Sequence, residues 1–219
     1  GHTWIDLGLP SGIKWATTNI GAHRPQDAGN YYAWGETTPK TDFRWATYSH
    51  GTAYNSLTKY SREDGLWTLD TTDDVVSCTW GGPWRMPTKN EWSELQEHCV
   101  WTWTDDYNQT GVAGYVVASK SSDASLFLPA AGCRYANQIN EKGVHGYYWS
   151  SSLFTNHSSY RGSAYQLQFF QAFVKSNWNY TRYYGSSVRG VCPSTTTKSA
   201  GITQSNCSIN AMGGKTHFN

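Results

Sequence analysis

The chain predicts a loop-rich fold of short strands with few helices, and three observations carry that prediction. It holds 21 glycines, 12 tryptophans and 15 tyrosines among 219 residues, with few strong helix formers. Its apolar residues alternate at a period of two in short runs that end in glycine or proline, as half-buried strands do. One run alone combines helical spacing with a start signal.

Residues 4–16 (WIDLGLPSGIKWA) read as two short strands joined by a Pro-Ser-Gly turn, where Gly12 supplies the backbone freedom a tight turn needs. A polar loop and the aromatic run 31–36 (YYAWGE) follow. Residues 37–79 show little periodicity and read as a long polar insertion with weak helical or turn segments. A loop of that length in a compact domain is functional or packed by its own side chains. The firm helix starts after Pro87: Thr88 is its N-cap, and Glu91, three residues on, completes a capping box. Trp92, Leu95 and Cys99 then share one face. Trp84 and Arg85 before it read as braces of the core. Strands are expected at 112–119 (VAGYVVAS), at 124–132, where Pro129 stops the run, at 165–170 and at 185–191. From Pro193 the chain becomes Ser/Thr-rich.

The length suits one domain, or one domain with an appendage. A net charge of +1 gives no field to recruit nucleic acid or an anionic membrane. No apolar run reaches the roughly 18 residues a spanning helix needs. The abrupt start at Gly1-His2, directly before a strand, leads us to expect that an export signal has been removed. Cys78, Cys99, Cys133, Cys192 and Cys207 form no C-x-x-C pair, which argues against structural zinc. Cys192 and Cys207 are spaced to close a short loop, but the cysteines leave pairing and compartment open.

The stretch that organises the chain is 146–191. Its ends, YYWSSS and GSSVRGV, read as framework. Its middle is rich in Tyr, Trp, Arg, Ser and Asn, the residues of binding surfaces: rigid amphipathic anchors with adaptable hydrogen-bonding groups. Residues 165–170 within it alternate as a strand with Tyr165, Leu167 and Phe169 on the buried face.

In order, DLGLPSGIKWATTNIGA, YYAWGE, WRMPTKNEWSEL, FLPAAG, YYWSSS and SVRGV resemble the Fibrobacter succinogenes major paralogous domain of gut Bacteroidales surface proteins. The likeness spans about residues 4–192. It implies an α+β domain of C-type lectin-like fold, formylglycine-generating-enzyme subtype, with small antiparallel sheets, few helices and much ordered loop. The division it implies is a domain over 1–192 and a tail over 193–219, packed on it or appended.

Residues 149–191 also resemble the variable region of proteins diversified by retroelements. That likeness implies a scaffold of Trp149, Ser150, Ala164, Tyr165, Leu167, Phe169, Val174, Gly185, Val188 and Arg189. The positions between would vary and form a ligand-binding patch: Asn156, His157, Ser159, Tyr160, Arg161, Ser163, Gln166, Gln168, Phe170, Phe173, Lys175, Asn177, Trp178, Asn179, Tyr180, Arg182, Tyr183 and Tyr184. Lys175, Trp178 and the two glutamines call for template codons other than asparagine's.

The expected function is therefore a non-enzymatic, receptor- or adhesin-like module, secreted or at a cell surface, binding a protein or glycan. It is expected to be monomeric, with no nucleic acid partner, no membrane insertion and no cofactor. The alternatives are a structural or adhesive subunit with a fixed surface, and an enzyme or metal site on the same fold. The fold's namesake needs two reactive cysteines close together near the end of the domain, and only Cys192 lies there. The histidines show no metal spacing, and His145 and His157 read as solvated. The sugar-binding tripeptides of calcium-dependent lectins are missing. Asp73-Asp74 and Asp105-Asp106 read as hydrated surface pairs.

Overall fold

The computed structural model describes residues 2–156 and 161–194. It is built of small antiparallel sheets with few helices, an α+β arrangement. The strands β1 (Trp4–Ile5) and β2 (Lys14–Asn19) are the predicted hairpin, and β13 (Arg189–Cys192) joins β2 on its other side. Among the described residues, the first and last strands thus share one sheet. Ile5 and Val191 both pair with Trp15, from opposite sides.

Helix α2 (Lys89–His98) begins as predicted. The Thr88 hydroxyl accepts from Glu91 N, and the Glu91 carboxylate accepts from Thr88 N. Trp92 and Leu95 face inward from it. Cys99 is its C-cap and opens β5 (Cys99–Thr104), a strand the sequence did not announce. With β6 (Gly114–Ser119) and β7 (Ser125–Pro129) it forms a second sheet, and Pro129 is the last residue of β7. Arg85 pairs with Val191 through the backbone, while its guanidinium donates to both Glu91 oxygens at 2.8 and 2.5 Å. It is a brace.

The insertion 37–79 packs into the core: Tyr60, Leu69, Val75 and Val76 are buried in one cluster with Trp34, Trp149 and Val188. It contains a 3₁₀ turn at Trp45–Thr47, a small hairpin of β3 (Gly51–Ala53) and β4 (Ser56–Leu57), and helix α1 (Val75–Trp80). Asp74 corrects the expectation of a hydrated pair. It is buried and caps α1 by accepting from Val76 N and Ser77 N, and it also accepts from Met86 N. Asp73 accepts from Lys59 and from the Tyr60 hydroxyl, each at 2.7 Å. Asp105 and Asp106 serve turns, taking the Trp103 indole N–H and Gly111 N respectively.

A further hairpin, β8 (Cys133–Tyr135) and β9 (Gln138–Asn140), leads to the sheet that carries the site. That sheet is ordered β10 (Gly146–Leu153), β11 (Ser163–Phe170), β12 (Phe173–Thr181). Residues 185–187, expected to open the last strand, instead make single bridges: Arg134 to Gly185, Tyr32 to Ser186 and Tyr148 to Ser187.

The tryptophans of the motifs lock these parts together. The Trp34 indole donates to Ser150 O and the Trp149 indole to Tyr32 O, each at 2.8 Å, and Trp92 donates to Trp149 O. All three rings are fully buried. Gly146 is required by close approach, since a Cβ there would run into the Phe169 ring. Arg189 is buried in the same frame. It donates from Nε to Asn19 Oδ1 and from its terminal nitrogens to Ala16 O and Phe127 O, all at 2.9 Å. Burial pulls its pKa down to about 10.

Candidate ligand-binding face

The predicted scaffold positions lie inside. Trp149, Ser150, Ala164, Tyr165, Leu167, Phe169, Gly185, Val188 and Arg189 are buried, and Val174 is half-buried. Of the proposed contact residues, Asn156, Arg161, Phe170, Asn177 and Trp178 are exposed. Gln168, Phe173, Lys175, Asn179, Tyr180, Tyr183 and Tyr184 are half-buried. His157, Ser159 and Tyr160 lie outside the described residues, as do 195–219 and with them Cys207 and nearly all of the tail.

Three of the proposed contacts are corrected, because they belong to the interior. Ser163 and Gln166 are buried in β11. Arg182 is fully buried beside Trp34, and its guanidinium donates to the carbonyls of Lys59, Tyr60 and Arg161. It ties the middle of the insertion to the ends of β11 and β12. Burial lowers its pKa.

The aromatic residues that remain form one band, ring against ring. Tyr183 meets Trp45 edge-on at 5.1 Å and stacks on Tyr184 at 4.8 Å. Tyr184 stacks on Tyr135 at 5.2 Å and packs against Tyr180 at 4.6 Å. Tyr180 leads to Tyr147 at 5.4 Å, and His145 stacks on Tyr147 at 5.8 Å. His145 then meets Phe170, which stacks on Phe173 at 5.0 Å, and Phe173 faces Trp178. Lys175 closes the end, its ammonium 4.6 Å from the centre of the Trp178 indole. Offset and edge-on pairs of this kind add to the area they bury.

The ladder explains which residues reach the surface. Gln166 pairs with Trp178 and Gln168 with Lys175, so β12 carries one extra residue between them. That bulge leaves Asn177 and Trp178 exposed in succession, which regular alternation forbids. The hairpin end is held by Phe170 opposite Phe173. From behind, α2 supports β12: Gln96 donates to Val174 O and accepts from Ser176 N at 2.9 Å each.

Trp45, Tyr135, His145 and Tyr147 join the band from outside the expected contact positions. Nothing in local spacing marks them, because the fold alone brings the 3₁₀ turn and the β8–β9 hairpin alongside β12. His145, expected to be solvated, is half-buried between rings, its Nδ1 3.8 Å from Glu141 Oε2. The Tyr147 hydroxyl donates to the same carboxylate.

Three phenols of the band are held protonated. Burial pushes the Tyr147, Tyr180 and Tyr183 phenols up; Glu141 adds to this at Tyr147, Cys133 at Tyr180 and Tyr184 at Tyr183. All three are neutral hydrogen-bonding groups at physiological pH. Cys133, 3.9 Å from the Tyr180 hydroxyl, is pushed up to about 11 by burial and is a poor nucleophile. No three His, Cys, Asp or Glu side chains cluster to hold a metal among the described residues. No helix among them is long and apolar enough to cross a membrane.

No family model matches the chain, and no curated protein or solved structure matches it.

Proposed function

We propose that this chain is a non-enzymatic ligand-binding module of C-type lectin-like fold, formylglycine-generating-enzyme subtype, presented on a bacterial surface. Its ligand is a protein or a glycan. The observation that carries this reading is the aromatic band from Trp45 to Trp178, set on a framework whose own residues are buried. Such a surface stacks against apolar faces or sugar rings, while Asn156, Arg161 and Asn177 supply directional hydrogen bonds. The resemblance to retroelement-diversified proteins adds that these exposed positions vary between copies of the gene.

The test is binding on protein and glycan arrays with the wild type, Phe170→Ala and Trp178→Ala. Loss of a specific signal at an unchanged melting temperature supports the proposal. Signals that survive both substitutions place the ligand elsewhere. Diversification is tested separately, by sequencing around the gene for a near-copy of codons 149–191 beside a reverse transcriptase.

A second reading is a structural or adhesive subunit. It is favoured by three exposed apolar residues outside 149–191, Tyr135 within the band and Ile139 and Val144 in the stretch of chain that follows it. Sedimentation across concentrations separates the two, because assembly through this face gives a mass that rises with concentration and falls in Tyr135→Ser.

A further inference from the structure

On the other face of β11 from Gln168 and Phe170, Tyr165 lines a cleft of about 380 Å³ with Trp67, Thr68, Lys89, Ser152 and Thr155. That volume is within the range of small-molecule sites. Four features give the cleft a chemistry. The Tyr165 side chain is buried, and its hydroxyl finds no protein partner, whereas buried hydroxyls in folded proteins are paired. The Lys89 ammonium lies 4.5 Å from the centre of the Tyr165 ring and forms no ion pair with any described carboxylate. Trp67 is half exposed, one of the most open large apolar side chains described. The remaining lining is rich in neutral hydroxyls, and no acidic residue is among it.

We propose that this cleft binds a carboxylate-bearing sugar, of the uronic-acid class. The carboxylate neutralises Lys89 and accepts from the Tyr165 hydroxyl. The C–H face of the ring stacks on Trp67, and its hydroxyls meet Ser152, Thr68 and Thr155. A neutral sugar leaves the ammonium without a counter-charge, and a bare anion leaves Trp67 uncovered. The Ser152 hydroxyl already accepts from Lys89 N at 3.2 Å, so the start of α2 and β10 are held together beneath the ligand. This inference does not rest on the aromatic band as a ligand site.

The test follows the Trp67 indole N–H by NMR in the whole chain, assigned with Trp67→Phe, during titration with glucuronate, glucose, or sodium chloride at matched ionic strength. The expected result is a saturable shift with glucuronate, affinity roughly ten-fold weaker for glucose, and no shift with chloride. Lys89→Gln should erase the preference for the acid, and Lys89→Arg should keep it. Tyr165→Phe should weaken glucuronate binding while leaving the melting temperature unchanged or higher, because the hydroxyl it deletes has no partner in the free protein. Equal responses to glucuronate and glucose, a response reproduced by chloride, no response to glucuronate, or a preference surviving Lys89→Gln would each overturn the proposal.

Discussion

Gln166 and Trp178 stand opposite one another in the β11–β12 ladder, yet Gln166 is 0% exposed and Trp178 37%. Directly opposed residues share one face of a sheet. The edge of the candidate surface therefore runs between these two strands. On the Trp178 side the β12 bulge lifts the chain outward; on the Gln166 side the residue is walled in, with the Ser186 hydroxyl at 3.4 Å from its Oε1.

Trp178→Ala is expected to cost no more than about 1 kcal/mol of stability, because the ring is partly solvated and packs mainly against Phe173 and Lys175. Trp149→Ala, which empties a buried site and removes the bond to Tyr32 O, is expected to cost about 3–5 kcal/mol. Urea unfolding of the two variants checks the pair. Similar losses would show that Trp178 is part of the core.

Arg182→Ala should behave as a framework substitution. It strips three backbone carbonyls of their donor in the interior, at an expected cost of about 2–4 kcal/mol. Arg182→Lys should recover little, since an ammonium cannot reproduce the planar fork. A variant that unfolds like the wild type but loses ligand would return Arg182 to the contact set.

Glu91 links stability to acid. Burial alone would raise its pKa, but the Arg85 hydrogen bonds, the Thr88 N–H and the Arg85 charge outweigh that and hold it below the usual glutamate value of 4.5. A carboxyl whose pKa is lower folded than unfolded stabilises the fold above the unfolded value, and that contribution is lost as pH falls through the folded one. Stability should therefore fall as pH drops below about 4.5. Glu91→Gln should flatten that part of the curve and cost about 1–2 kcal/mol at neutral pH. Thermal unfolding at a series of pH values measures both effects; an unchanged acid limb would exclude Glu91 as its source.

Asp74→Ala should cost about 2–3 kcal/mol, since one buried carboxylate caps α1 and also anchors Met86 N. Asp74→Asn keeps an acceptor oxygen and should recover about half. Hydrogen exchange at Val76, Ser77 and Met86 reports the change locally. Protection left intact in the alanine variant would contradict the assignment.

What the sequence made legible was local chemistry. The α2 start is written in Thr88 and Glu91, which lie within one turn of each other, and the first hairpin in its Pro-Ser-Gly turn. The β8–β9 hairpin and β5 were not legible. Cys133–Tyr135 and Gln138–Asn140 are too short to show a period, and Trp101 and Trp103 look like any aromatic run until β6 pairs with them. The candidate face was legible in composition and only partly in detail. Alternation sorted Leu167 and Phe169 from Gln168 and Phe170. It failed at Gln166, and the resemblance failed at Arg182; their burial depends on Ser186 and on the carbonyls of the 59–60 segment, partners far away in the chain. Alternation had no means of placing the β12 bulge.

The end strands give the module a mechanical character. Both β1 and β13 run antiparallel to β2, so they run parallel to each other on either side of it. Tension applied at the start of β1 and the end of β13 then pulls the two outer strands in opposite directions along the axis of β2. The ladder is loaded lengthwise, so its hydrogen bonds resist together instead of parting one after another. A module tethered on one side and loaded on the other would hold its aromatic band in place up to the force at which that small sheet slips.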